Sequence, residues 1–193
     1  VVNGVKVADS AAAPRVGPYS RGALLDSSGQ VTPAVVRFDD VTILSGEAFR
    51  EATESLRDHV PEPFRSRCRP VGEDATNVQV AALICTPAGS VDQAEYYQFE
   101  SAQPMDMQFN AVLSGQSVQS TRGDCRLGPS TGRYNDSSGA DAGSIACFPN
   151  SSSLGGLMLL WTNERLNILA SGITTTGSYA DLFTWWQSAG PYP

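Results

Sequence analysis

Hydrophobic positions in this chain fall into short blocks whose period switches between helix-like and strand-like. In EAFREATESLRDHV, Phe49, Leu56 and Val60 are set among good helix formers, which predicts an amphipathic helix over Ala48 to His59. VQVAALICT (78–86) and QAEYYQFES (93–101) read as strands, and the PAGSVD turn between them predicts an antiparallel hairpin. PMDMQFNAVLSG (104–115) opens on Pro and is followed by Gly, which suits a helix through Met105 to Leu113. GSIACFP (143–149) and GLMLLWT (156–162) predict a second hairpin, with ERLNILASGI (164–173) as a third strand. SYADLFTWWQSAG (178–190) reads as a closing helix, with Ser178 as N-cap, Asp181 in the first turn and Gly190 as stop.

Before these blocks, VTPAVVRFDDVTIL is rich in β-favouring residues, and GALL followed by DSSGQ reads as a strand and a turn. The division expected is an N-terminal arm with strands over 1–45 and an α+β domain over 46–193. The order of elements predicts an antiparallel sheet with helices on one face. The likeness between 48–101 and 105–162 suggests an internal duplication.

The 193 residues suffice for one substantial core. The apolar run Leu154 to Leu160 is too short to span a bilayer, so no membrane-spanning segment is expected. With Val1 in place of an initiator Met and no signal-peptide pattern, the chain reads as a fragment or a mature form. A formal charge of -7 argues against nucleic acid or an anionic membrane as partner. The charge is uneven: Glu73, Asp74, Asp92, Glu95, Glu100 and Asp106 fall in a stretch, 71–121, without Lys or Arg, whereas PFRSRCRP (63–70) carries three arginines. This reads as a solvated acidic face beside a small basic turn.

Four cysteines, Cys68, Cys85, Cys125 and Cys147, show no C-x-x-C spacing, and the chain has one His, so a zinc site is not expected. Two disulfides are the leading reading, which implies an oxidising compartment. Of three connectivities, Cys68–Cys85 with Cys125–Cys147 is favoured. In each pair a helix leads to the first cysteine, a strand ends at the second, and Pro87 or Pro149 follows shortly after. Each bridge would close a loop of roughly twenty residues and stabilise by about 3 kcal/mol. The Gly/Ser/Asp-rich loop between Cys125 and Cys147 can then bury little, because a covalent clamp holds its ends.

The marks Cys85, Tyr96, Phe99, Cys125, Cys147, Trp161, Trp185 and Trp186, set in AALIC, AEYYQF, DC, GSIAC, LLWT and DLFTWW, carry a resemblance. The chain from about Ala48 to Gln187 resembles a repeated actinobacterial domain found at the extracytoplasmic C-terminal end of transmembrane serine/threonine protein kinases and in secreted or lipid-anchored relatives. The resemblance implies architecture and location. It brings no catalytic residue, since the kinase's own Gly-rich, H-R-D and D-F-G segments do not occur here.

The remaining candidates are weighed against structural roles. His59, at a helix end, reads as a partner of the helix dipole before it reads as a catalytic base. NDSSGADAGS (135–144) offers Asp136, Ser138 and Asp141 but lacks the ligand spacing and terminal Glu of a calcium loop. The RGD at Arg122 to Asp124 reads as local structure beside a disulfide. Trp185 and Trp186 point about 100° apart on a helix, so one is expected in the core and the other at a sheet edge or groove. Asp39–Asp40 and Glu73–Asp74 look like turn or edge residues, and no carboxylate pair stands out for hydrolysis.

Taken together these features predict a non-enzymatic extracellular sensory or ligand-binding domain, secreted or at the outer face of a cell membrane, with no catalytic residue, metal or cofactor. Its partner would be an extracellular ligand or protein, met by a groove with apolar walls. Two further readings stand beside it. A secreted assembly protein would pair its edge strand near Val31 to Leu44 with a partner. A secreted hydrolase would show two close carboxylates in a cleft.

Overall fold

The computed structural model describes residues 36–38, 41–43, 46–71, 79–87, 89–120, 123–152 and 154–190. The GALL strand, the DSSGQ turn, Asp39–Asp40, Glu73–Asp74 and Arg122 lie outside them. Two short strands, β1 (Val36–Phe38) and β2 (Val41–Ile43), pair antiparallel as a separate two-stranded sheet. Helices α1 (Gly46–Asp58) and α2 (Glu62–Arg65) follow, then β3 (Cys68–Pro70), β4 (Gln79–Cys85) and β5 (Gln93–Phe99). The chain continues through α3 (Ala102–Leu113), β6 (Gln119–Ser120), β7 (Ser130–Asn135), β8 (Asp141–Pro149), β9 (Leu157–Asn163), β10 (Ile168–Thr174) and α4 (Tyr179–Ala189).

The main sheet has the order β3-β4-β5-β10-β9-β8-β7-β6. Its first seven strands are antiparallel, and the two-residue β6 adds in parallel to β7. The α+β class, the antiparallel sheet, both expected hairpins and the third strand are present. The central strand β10 pairs Ala170 with Tyr96 on one side and with Trp161 on the other. All seven of its residues are buried. A strand without polar alternation has to be covered on both faces.

That requirement determines where the helices go. On one face, Leu56 of α1, Val60 just after it, and Leu182, Trp185 and Trp186 of α4 join Leu83, Tyr96, Ile145, Leu159, Trp161 and Ile168 in a single core. The expected helix-covered face is this one. Helix α3 differs, since its Met105 and Phe109, one turn apart, pack on Phe99, Ala146, Phe148, Leu160 and Leu169, which point to the opposite side. The buried run Ile145–Phe148 on β8 supplies both faces in turn, so a helix on one side alone would leave Ala146 and Phe148 in water.

Both disulfides form with the favoured connectivity, Cys68–Cys85 and Cys125–Cys147. Cys68 and Cys85 are direct cross-strand partners in β3 and β4. The suggested duplication extends to strand order, with β3-β4-β5 and β7-β8-β9 flanking β10, and to the helices but not to the disulfides. Strands β5 and β9 both run antiparallel to β10, so they could be exchanged only by rotation about β10, which swaps the faces. Helices α1 and α3 do lie on opposite faces, but both disulfides belong to the same core.

Candidate functional site: an aromatic groove beside the second disulfide

Helix α4 begins with a reciprocal cap. Ser178 Oγ accepts from the Asp181 backbone N–H, while the Asp181 carboxylate accepts from the Ser178 N–H at 2.9 Å. This sets the rotation of the helix and directs its adjacent tryptophans to different neighbours. Trp185 turns inward, 5.9 Å from Trp161 and 6.2 Å from Phe64 between ring centroids. Trp186 turns toward β7, edge-on to Tyr134 at 5.1 Å and 5.3 Å from Phe183. Both indoles are largely buried, and Trp186 also lines a groove, so the expected division between core and groove is met in part.

The groove has a volume of about 240 Å³. It is lined by Tyr134, Trp186 and Phe183, by the Arg133 side chain beside them, and by Gly123, Asp124 and Arg126 of the 123–126 turn, which forms the rim. Gly123 allows that turn to lie close on the sheet. It has φ +74°, and a Cβ there would stand 2.5 Å from Ile145 Cγ2. The following residues are fixed by the bond from buried Cys125 to Cys147 on β8. Tyr134 is held from below by its hydroxyl, which donates to the Thr162 carbonyl at 2.7 Å.

On the rim Arg126 donates to Asp124 through Nε at 2.8 Å, through Nη2 at 2.7 Å and through its backbone N–H at 3.2 Å. These bonds hold the Asp124 carboxyl at about 2, well below the usual carboxylate range. The Arg126 guanidinium also lies 5.6 Å from the centre of the Phe183 ring, so the same side chain joins the charged rim to the aromatic wall.

The other candidates fall elsewhere. His59 sits half-buried in the turn that closes α1. Asp136 of the Gly/Ser/Asp loop accepts from Ser138 N–H, Ser138 Oγ and Ala140 N–H, which makes it the organiser of a tight turn. Asp141 and Glu164 are both bound by Arg133. Among the described residues no group of three or more His, Cys, Asp and Glu could hold a metal. Near this ion-pair cluster the Asp106 carboxyl is raised, first by partial burial and then by the charge of Glu164. Arg133 ties Glu164 into an exposed ion-pair network, which reads as surface structure.

Of the residues singled out in the sequence, the fold therefore brings Asp124, the Cys125–Cys147 bond and Trp186 to one place. Gly123, Arg126, Arg133, Tyr134 and Phe183 complete it, and the chain separation of 126 from 183 gives no local signal of their meeting. Comparison with known proteins finds no matching family model, no matching curated protein and no matching solved structure.

Proposed function

We propose that this chain is a non-enzymatic extracellular domain that recognises a ligand, acting as the outer sensory part of a membrane receptor kinase or of a related envelope protein. The observation that carries the reading is the groove itself, with aromatic residues below, a charge pair above and a disulfide fixing the rim. Two disulfides fit an oxidising compartment, and no helix among the described residues is long and apolar enough to cross a membrane. A groove with apolar walls and a few convergent polar groups is the usual form of a small-molecule site. The receptor part of the proposal rests on the resemblance carried by Cys85, Tyr96, Phe99, Cys125, Cys147, Trp161, Trp185 and Trp186.

The test is a small-fragment screen read by backbone amide shifts of the isotopically labelled chain. Binding should move the amides of Asp124, Arg126, Phe183 and Trp186 together. A screen whose hits all map around Asp106 and Glu164 would instead favour the hydrolase reading. The native reading frame before Val1 tests the receptor part, which expects a kinase domain and one membrane helix there.

A further inference from the structure

Resting on the groove as a ligand site, we infer that its ligand is a neutral polyhydroxylated ring, a single saccharide unit, received between the Phe183–Trp186 wall and the Asp124–Arg126 rim. The argument begins with size. At about 240 Å³ the groove lies below the roughly 300–1,000 Å³ typical of drug-sized ligands, so it takes one ring and leaves any continuation of the chain outside.

Surface chemistry narrows the choice further. The aromatic lining is Tyr134, Trp186 and Phe183, of which Phe183 is the least buried, and Tyr134 has spent its hydroxyl proton on Thr162; Arg133, which lines the groove beside them, is already paired with Asp141 and Glu164. A purely apolar ring would satisfy this wall but would cover the charged rim without bonding to it, at a desolvation cost. A saccharide has one apolar C–H face for the aromatic wall and a belt of hydroxyls for the rim.

The rim offers what such a belt needs. Asp124 accepts three bonds from Arg126, out of about four acceptor positions on a carboxylate. Two of the five guanidinium donors go to Asp124, which leaves three N–H groups that Asp124 does not engage. Acceptor and donors are held in one plane by the bidentate pairing, and neighbouring hydroxyls on a ring can use one of each. The pair carries no net charge, and the charge of Arg133, which also lines the groove, is met by Asp141 and Glu164. An anionic ligand would have to displace Asp124 from Arg126, and a cationic one would meet the guanidinium, so a neutral ring suits the rim better than either.

The experiment uses the full chain and three classes of probe, each followed by amide shifts: D-glucose and N-acetyl-D-glucosamine, indole as an apolar ring, and inorganic phosphate as an anion. The expected result is saturable movement of Asp124, Arg126, Phe183 and Trp186 amides with at least one sugar, with a dissociation constant on the order of 1 mM. Asp124→Asn and Phe183→Leu should each weaken that sugar roughly tenfold while the rest of the spectrum stays in place. If indole moves these amides and neither sugar does, the saccharide assignment is overturned and the groove survives as a ligand site. Phosphate binding at Arg126 without sugar binding overturns it in favour of an anion. If no probe reaches the groove, both the saccharide assignment and the proposed function fall.

Discussion

Trp185 lies against Gly172 so closely that no side chain could stand between them: a Cβ at Gly172 would sit 2.3 Å from Trp185 Cζ3 and 2.9 Å from Cη2. Gly172 is in the middle of β10, flanked by Ala94 on β5 and Leu159 on β9. The glycine is therefore a docking notch for α4. Gly172→Ala should destabilise by about 1–3 kcal/mol, the usual range for overpacking a core. The Trp185 Nε1 is buried with no hydrogen-bond partner among the described residues, so a smaller ring there loses no hydrogen bond. Gly172→Ala combined with Trp185→Phe should accordingly recover part of the loss. Urea midpoints of the two singles and the double measure this, and strict additivity would show that the notch is not what matters.

The two disulfides should differ in how readily they open. Cys125 and Cys147 are fully buried, while Cys68 retains 8% exposure and lies on the short edge strand β3. Limited reduction of the folded protein, followed by alkylation and peptide mapping, should label Cys68 and Cys85 first. Replacing Cys125 and Cys147 by Ala should cost about 2–5 kcal/mol and loosen the groove rim, since the bond closes a separation of 22 residues. Labelling of Cys125 before Cys68 would mean that the rim opens more easily than the edge strand.

How much of this was legible follows from where each signal lies. Helix α4 could be read from its ends, because the Ser178/Asp181 cap and the Gly190 stop are local features. The hairpins and the disulfide pairing were local as well. Strand β7 was missed because STGRYN shows one large apolar residue, Tyr134, and its pairing is set by register with β8, Ser130 opposite Cys147. Strand β3 was missed because CRP is three residues long and joins the sheet through Cys68 opposite Cys85. The opposite-face position of α3 has its signal in the apolar run IACF of β8 and in β10, where small and apolar residues leave no polar alternation and burial on both sides calls for cover on both. The groove could be only half read, since Trp186 and Asp124 were visible while Arg126 meets Phe183 through tertiary folding alone.

Acid should act on this fold mainly through hydrogen-bonded surface carboxylates. Asp124 titrates at about 2 because of the Arg126 side chain, and Asp92, Asp136 and Asp181 are lowered by bonds from Thr175, from Ser138 and Ala140, and from Ser178. Each has a folded value below its unfolded value of about 3.9, so its contribution is fully present above that pH and fades as pH falls through the folded value. Asp106 has the opposite sign. Its carboxyl is raised by partial burial and by Glu164, so its ionisation opposes folding at neutral pH, and protonation relieves this. Asp106→Asn should leave stability at neutral pH unchanged or slightly higher. Arg126→Ala should move the Asp124 titration, followed by side-chain carboxyl NMR, back toward the ordinary carboxylate value. An Asp124 curve unchanged in that variant would mean that Arg126 is not what holds the rim.

Tyr96 joins the centre of the sheet to the far end of α4. Its buried hydroxyl donates to the Ala189 carbonyl at 2.7 Å, and its ring stands edge-on to Trp161 at 6.1 Å. The last carbonyls of a helix have no partner within the helix, and at Ala189, itself fully buried, water is not an easy substitute. Tyr96→Phe keeps the ring and removes that donor, leaving the carbonyl to be satisfied in some other way. The expected loss is about 1–2 kcal/mol, with faster amide exchange over the last turn of α4 and little change at its capped N-terminus. The contrast between the two ends separates a lost anchor from general loosening of the core. Uniformly faster exchange along α4 would mean that Tyr96 acts through packing against Trp161, and unchanged stability would mean that the Ala189 carbonyl finds another donor at no cost.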